Sequence, residues 1–191
     1  MIDRLAWVRR VSVVVVVWTF ALMGLGAWVK ATGSGLACPD WPQCYGQWLP
    51  PFPSVENQGV DADGEPVYYT QAQVLYEWTH RLVASLLGIP FLLLVGLSAT
   101  ERRFHPMLRG LPLVALIVLA VQVLLGGGTV VQGNPAGLTT SHLLTATAFF
   151  FLVSGAAFTA FLSPYRNEPK TPDAEWGSPG VVRFPGEGGM P

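Results

Sequence analysis

The segment YEWTHRLVASLLG, Tyr76 to Gly88, brings three ionisable residues together at the start of a long apolar run: Glu77, His80 and Arg81. A carboxyl group can take up a proton, an imidazole can bind a metal ion, and a guanidinium has the fork geometry that suits a carboxylate. Glu77 and His80 are three residues apart, so on a helix both can reach one bound ligand. Ionisable residues inside a membrane segment indicate a functional site.

The sequence contains two further histidines, His105 and His142. His142 lies, like His80, near one end of an apolar run, and two imidazoles on parallel helices of a bundle can bind the iron of a haem from both faces. A di-iron or zinc site is the competing chemistry, but Glu77 is the only carboxylate within the apolar runs, and a di-iron site needs more. We interpret His105 as a solvated loop residue.

Two polar or flexible features of the third apolar run also bear on a site. We interpret Gln122 as the donor or acceptor of a hydrogen bond between helices. Gly126 to Gly128 would either allow a backbone to approach a cofactor closely or end the helix.

The elements that must position these residues are membrane helices. Of 191 residues, 51% are hydrophobic and 12% charged, and the net charge of -1 gives no indication of nucleic-acid binding. Four runs are long enough to cross a hydrocarbon core, and none shows the alternation of a membrane barrel strand. We therefore predict an all-α membrane protein, a bundle of four transmembrane helices spanning residues 11–29, 72–99, 111–129 and 139–162.

Lys and Arg residues predict the orientation of these helices. Arg residues precede the first run, lie between the second and third, and follow the fourth, so both termini are predicted to be cytoplasmic and the long loop 31–71 external. His80 and His142 then lie at comparable depth in the outer half. The first apolar run is longer than the core of a signal peptide, and no transit peptide precedes it, so we predict a multi-pass protein of a prokaryotic plasma membrane.

Cys38 and Cys44 are the only cysteines and lie in the predicted external loop, in GLACPDWPQCYGQW. A disulfide between them would stabilise the loop by about 2 kcal/mol, and a redox role is the alternative. A metal site is disfavoured because that segment contains no histidine.

Two segments outside the helices have different compositions. We divide the chain into a membrane domain, residues 1–162, and a mobile Pro- and Gly-rich cytoplasmic tail, residues 163–191. Residues 50–64 are rich in turn-forming residues, whereas Val67 to Leu75 could form an ordered lead-in to the second helix.

Three motifs in order resemble the haem A synthase family: TGSGLACPDWPQCYGQWLPP from Thr32 to Pro51, YEWTHRLVASLLG, and LLGGGTVVQG followed by LTTSHLLTATAFF. The resemblance covers about Trp18 to Phe161. It implies an oxidoreductase that oxidises the C8 methyl group of haem O to a formyl group, and so makes haem A for terminal oxidases.

The resemblance also implies roles for individual residues. His80 and His142 would be ligands of the substrate haem iron, Glu77 would be important for catalysis, and Cys38 and Cys44 would be the pair that forms a disulfide in many members. We add Arg81 as a candidate contact for a haem propionate, with snorkelling to the membrane interface as the alternative.

Family members usually have eight spans in two four-helix repeats, and the second repeat holds a haem b. This sequence contains four spans, which resemble the first repeat. We therefore expect it to pair with itself or with a second four-helix half, and haem O synthase is a further candidate partner. The alternative function is a non-enzymatic b-type haem subunit or electron carrier with two histidine ligands.

Overall fold

The computed structural model describes residues 4–50, 57–60, 65–100 and 105–163. Within these ranges the chain forms four long α-helices and one short antiparallel hairpin. The helices are α1 Arg4–Ala31, α2 Gln71–Ala99, α3 Pro106–Val131 and α4 Ala136–Leu162, and the strands are β1 Asn57–Val60 and β2 Pro66–Tyr69.

All four helices are long and apolar enough to cross a membrane, as the sequence predicted. Each is longer than its predicted span, by as much as seven residues at the start of α1, where Arg4, Arg9 and Arg10 are helical. Hydropathy marks only the apolar part of a helix, whereas the backbone hydrogen bonds continue into its polar ends.

The helices pack as a ring in which α1 contacts α2 and α4, and α3 contacts α2 and α4. The helices that carry His80 and His142, α2 and α4, are therefore diagonally opposite and run in the same direction. We call the end where α1 and α3 finish and α2 and α4 begin the loop end, and the opposite end the terminal end.

The main apolar core fills the half of the bundle nearer the terminal end. It is built from buried side chains of all four helices, with Phe91 of α2 and Phe149 of α4 in edge contact at 5.0 Å between ring centroids. Both histidines lie toward the loop end: at about 1.5 Å per residue, His80 is about 14 Å and His142 about 9 Å from the start of its helix. The sequence predicted comparable depths for the two residues, and these two distances differ by about 5 Å, which is less than one helical turn.

The hairpin formed by β1 and β2 was not anticipated by the all-α prediction. It pairs Asn57 with Tyr69 and Val60 with Pro66. The second strand lies in the segment predicted as an ordered lead-in, and its Val67, Tyr68 and Tyr69 are residue types that favour a strand. The chain then enters α2 through a capping box, in which Thr70 and Gln73 each accept the other's backbone N–H.

His105 is exposed, as predicted, and it also caps α3 by accepting the N–H of Met107 through Nδ1 at 3.3 Å. The proposed tail falls outside the described residues from position 164 onward, so the division into residues 1–162 and 163–191 stays a prediction.

Candidate functional site

Glu77 is almost completely buried, with 4% of its surface exposed, at the loop end of α2. Its Oε1 accepts a hydrogen bond from Nη2 of Arg81, one helical turn later, at 2.5 Å. Its Oε2 accepts the backbone N–H of Cys38 at 2.7 Å. A buried carboxylate is stable only when it is paired and hydrogen-bonded, and these two contacts provide both conditions.

Arg81 connects α2 to the loop that follows α1. Nη1 donates to the carbonyl oxygens of Asp40 at 2.6 Å and Gln43 at 2.8 Å, and Nη2 donates to that of Cys38 at 3.2 Å as well as to Glu77. Each terminal nitrogen therefore makes two hydrogen bonds. A guanidinium has five N–H donors, so that of Nε is not used by these four bonds, and the predicted contact with a haem propionate stays a prediction.

The segment held by Arg81 is the disulfide loop, residues 38–44, closed by the bond between Cys38 and Cys44. The predicted disulfide is thus present, and both cysteines are buried in a small cluster with Ala37, Tyr69 and Val74. The carboxylate of Asp40 accepts the backbone N–H groups of Tyr45 at 2.6 Å and Gly46 at 2.8 Å. The loop is therefore fixed by its disulfide, by the bonds of Asp40 to the two residues that follow the loop, and by the bonds to α2.

Tyr45 follows the disulfide loop and packs against the same cluster. Its hydroxyl oxygen is buried and has no hydrogen-bond partner. Burial raises the pKa of this phenol to about 12, with smaller contributions from Glu77, Tyr69 and Asp40. The hydroxyl is therefore held in its neutral form close to the charged pair.

His80 lies three residues after Glu77 on α2, and its ring rests against α1. A Cβ atom built at Gly26 would lie 3.0 Å from Cε1 of His80. The Nδ1 atom of His80 is buried and has no hydrogen-bond partner.

His142 has a similar position on α4, with its ring against α3. A Cβ atom built at Gly126 would lie 3.0 Å from Cε1 of His142, and Nδ1 is again buried without a partner. Its Nε2 lies 3.3 Å from Nε2 of Gln122, whose Oε1 accepts the hydroxyl of Thr145. Gln122 therefore forms hydrogen bonds between helices, as predicted.

The glycines at positions 126 to 128 face the side chains of His142, Trp41 and Leu138, and their predicted close approach to a cofactor stays a prediction. Their alternative role, ending the helix, is wrong, because α3 continues to Val131. Gly127 is covered by the indole of Trp41, whose Cδ2 would lie 3.0 Å from a Cβ atom there. The disulfide loop is thus bound to α2 through Arg81 and contacts α3 through Trp41.

Of the residues predicted for the site, Glu77 and Arg81 are in direct contact, and His80 and His142 lie on diagonally opposite helices toward the same end. Sequence reasoning missed Gly26, Trp41 and Tyr45. Gly26 lies within an apolar run, GLGAW, that gives no sign of a contact with His80, and Trp41 is indistinguishable by type from other aromatic residues of the loop. For Tyr45, its position directly after a cysteine pair was the available signal.

The donor set fits a haem better than a bare metal ion. Among the described residues no group of three or more His, Cys, Asp or Glu side chains could hold a metal ion, as a zinc or di-iron site requires. Two imidazoles suffice for a haem, whose ring supplies the other iron ligands. The buried Nδ1 atoms of His80 and His142 lack the partners that such atoms normally have, and iron ligation is one way to satisfy an imidazole nitrogen.

Comparison with known proteins identifies a family and several relatives. The model of a family described as cytochrome oxidase assembly protein, COX15-CtaA, matches residues 9–181. The chain is 28% identical over 169 residues to a heme A synthase of Shouchella clausii, covering 88% of this chain and 48% of that protein. It is 32% identical over 134 residues to a heme A synthase of Paracoccus denitrificans, covering 70% of this chain and 33% of that protein.

A third relative has a different name. A protoheme IX farnesyltransferase of Halobacterium salinarum is 28% identical over 176 residues, covering 86% of this chain and 35% of that protein. The chain therefore spans between a third and a half of the length of these relatives. No solved structure matches it significantly.

Proposed function

The chain belongs to the COX15-CtaA family of cytochrome oxidase assembly proteins, and on that premise we propose that it is a haem A synthase or one four-helix unit of such an enzyme. The proposed reaction is oxidation of the C8 methyl group of haem O to a formyl group, which yields haem A for a terminal oxidase. The observation that carries this proposal is the pair of imidazoles, His80 and His142, on parallel and diagonally opposite helices, each with an unpartnered buried nitrogen.

In this proposal the two histidines bind the iron of the substrate haem. The haem would supply the iron and the conjugated ring on which oxidation of the methyl group depends. The residues of this chain hold the haem between α2 and α4 and exclude water through the buried contacts at the loop end. The similarity to two proteins named heme A synthase supports this assignment.

Glu77 is the proposed proton acceptor. It is buried three residues before His80, and each of its oxygens accepts a hydrogen bond from the protein. Proton transfer by a positioned side chain contributes roughly 10²–10⁴-fold to the rate of a reaction. Arg81 would keep the carboxylate in place while it accepts the proton.

Replacing Glu77 tests this role. We expect Glu77→Gln, co-expressed with a haem O synthase, to retain haem while conversion of haem O to haem A falls at least about 100-fold. Haem extraction and chromatography measure both quantities, and Glu65→Gln, an exposed carboxyl group before α2, is the matched control. Normal haem A formation by Glu77→Gln at normal haem content would exclude the role.

The proposed partners follow from the family resemblance. The family's second four-helix unit would be supplied by a second copy of this chain or by a separate half, and would carry a haem b. An enzyme that makes haem O is a further proposed partner, which the relative named protoheme IX farnesyltransferase supports. The proposed location is a prokaryotic plasma membrane, with the loop end on the external face.

A non-enzymatic haem subunit with two histidine ligands is the second candidate. It is favoured by the structural contacts of Glu77, because an ion pair and a bond to the disulfide loop account for this residue without catalysis. The same co-expression separates the two functions. Bound haem b without conversion of haem O, even in the presence of a second four-helix unit, would identify the carrier.

A further inference from the structure

We infer that Gly26 and Gly126 are positioning residues for the two candidate haem ligands. Each allows a helix backbone to lie directly against one imidazole ring, so that a methyl group at either position displaces that ring. The inference rests on the proposed function, because it gives the glycines a role toward the haem that His80 and His142 would bind.

The two contacts have nearly the same geometry. A Cβ atom at Gly26 would lie 3.0 Å from Cε1, 3.6 Å from Nδ1 and 3.7 Å from Nε2 of His80. A Cβ atom at Gly126 would lie 3.0, 3.5 and 3.8 Å from the corresponding atoms of His142. In both pairs the carbon between the two nitrogens faces the glycine, so the nitrogens remain on either side of the contact.

The pairs also occupy equivalent places in the chain. Gly26 is on α1 and contacts the histidine of α2, whereas Gly126 is on α3 and contacts the histidine of α4. Each antiparallel helix pair thus presents one glycine and one histidine toward the loop end. Because the same glycine–histidine contact occurs in both helix pairs, we attribute it to the two candidate ligand sites and not to the packing of one particular helix pair.

Glycines of membrane helices often permit close packing, so these contacts must be compared with others in the same helices. A Cβ atom at Gly24, two residues earlier on α1, or at Gly110 on α3 would meet nothing within 4 Å. A helical glycine in this protein is therefore not in itself a contact, and Gly26 and Gly126 are set apart by the imidazoles they touch.

The physical effect of a methyl group follows from the distances. Carbon atoms pack at about 3.5–4.0 Å, so an alanine would have to move the imidazole by a few tenths of an ångström. Histidine ligands are normally oriented by a hydrogen bond at the ring nitrogen that does not bind the metal; for His142 with iron at Nδ1, Gln122 contacts that nitrogen, Nε2. The glycine backbone contacts each ring at Cε1, between its two nitrogens, and limits how far the ring can move toward the neighbouring helix.

Haem binding to the full chain tests the inference. The probe is iron protoporphyrin IX, titrated into purified protein and followed by its absorbance and by electron paramagnetic resonance of the low-spin ferric iron. We expect Gly26→Ala and Gly126→Ala to weaken binding by about 10–100-fold, the range for residues that orient a metal ligand, and to change the g-values. Gly24→Ala and Gly110→Ala should match the wild type.

A second experiment separates ring displacement from misfolding. Alanine forms helix better than glycine, so the substitution itself does not weaken α1. In a His80→Gly background, added imidazole should restore the low-spin spectrum equally with and without Gly26→Ala, because a free imidazole can shift its position. Failure of the rescue only in the presence of Gly26→Ala would overturn the inference.

The outcomes for the inference and for the proposed function differ. Wild-type affinity and g-values in both Gly26→Ala and Gly126→Ala would overturn the positioning role and leave haem binding intact. If His80→Ala and His142→Ala instead left the haem spectrum the same as that of the wild type, the proposed function would be overturned, and the inference with it.

Discussion

Tyr45 is a single residue outside the helices whose ionisation depends on the buried site. Burial of its hydroxyl oxygen, together with the nearby Glu77 carboxylate, raises the pKa from 10.0 to about 12. Because the folded protein holds this proton to higher pH than the unfolded chain does, the neutral phenol stabilises the fold fully below about pH 10. That contribution is lost as the pH rises through about 12.

A spectroscopic titration of the phenols checks this expectation. The rise in ultraviolet absorbance with pH should include a component with a midpoint near pH 12, and Tyr45→Phe should remove it. Tyr68→Phe, which changes a side chain with 63% of its surface exposed, is the control and should leave that component in place. Loss of this component in Tyr68→Phe but not in Tyr45→Phe would assign it to Tyr68 and contradict the prediction.

At the scale of single residues, the sequence identifies candidates where the residue type is unusual for its surroundings. Glu77, His80 and His142 are conspicuous because ionisable side chains are costly in apolar helices. Gly26 could not be identified, because its role depends on which helix faces it, and the sequence does not specify the neighbours of α1. The hydrogen bonds of Arg81 to loop carbonyls could not be predicted from the sequence either, since every residue has a carbonyl oxygen.

At the scale of elements, the contact between the disulfide loop and α2 depends mainly on one guanidinium. Arg81 donates four hydrogen bonds from two nitrogens, three of them to loop carbonyls. A lysine ammonium has three donors on one nitrogen and cannot reproduce the fork. The loop should therefore open more readily when Arg81 is replaced, although its disulfide remains.

Accessibility of the disulfide measures this opening. We expect Arg81→Lys to destabilise the seated loop by about 2 kcal/mol, since hydrogen bonds to charged groups contribute about 1.5–3 kcal/mol each. Reduction of the Cys38–Cys44 bond by a membrane-impermeant thiol should accelerate at least tenfold. Arg10→Lys, which changes an exposed arginine of α1, is the control, and equal reduction rates in the two variants would contradict the stabilisation of the loop by Arg81.

The elements themselves differed in how far the sequence specified them. The four helices were predictable because a helix that crosses a membrane needs a long run of apolar residues, and this requirement extends over the whole span. The hairpin of β1 and β2 was missed because its strands have only four residues each, and its stability depends on packing of Tyr69 against the disulfide loop. A short strand held by tertiary contacts has no strong local pattern.

At the scale of the whole molecule, the apolar core and the candidate site divide the bundle along its length. The buried cluster that includes Phe91, Leu94, Phe149 and Val153 lies toward the terminal end, whereas the histidines and their glycines lie toward the loop end. The half nearer the terminal end provides the packing that holds the four helices together. The half nearer the loop end can therefore carry polar groups that an apolar core would exclude.

The distribution of charge predicts how the two ends of the bundle are oriented in the membrane. Arg residues flank the terminal end, so the positive-inside rule places that end in the cytoplasm and the disulfide loop outside. Both native cysteines are in the disulfide, so a single introduced cysteine reports its own location. Tyr68→Cys lies at the loop end and Met107→Cys at the terminal end, and the native side chains are 63% and 54% exposed.

In intact cells, a membrane-impermeant maleimide should label Tyr68→Cys and leave Met107→Cys unlabelled. Both variants should react in detergent, which controls for accessibility of the thiols. The reverse pattern in cells would place the candidate haem site at the cytoplasmic side and contradict the orientation. Because the disulfide loop covers the same end as His80 and His142, labelling of Tyr68→Cys alone would place the mouth of the site at the external face, where a disulfide is stable.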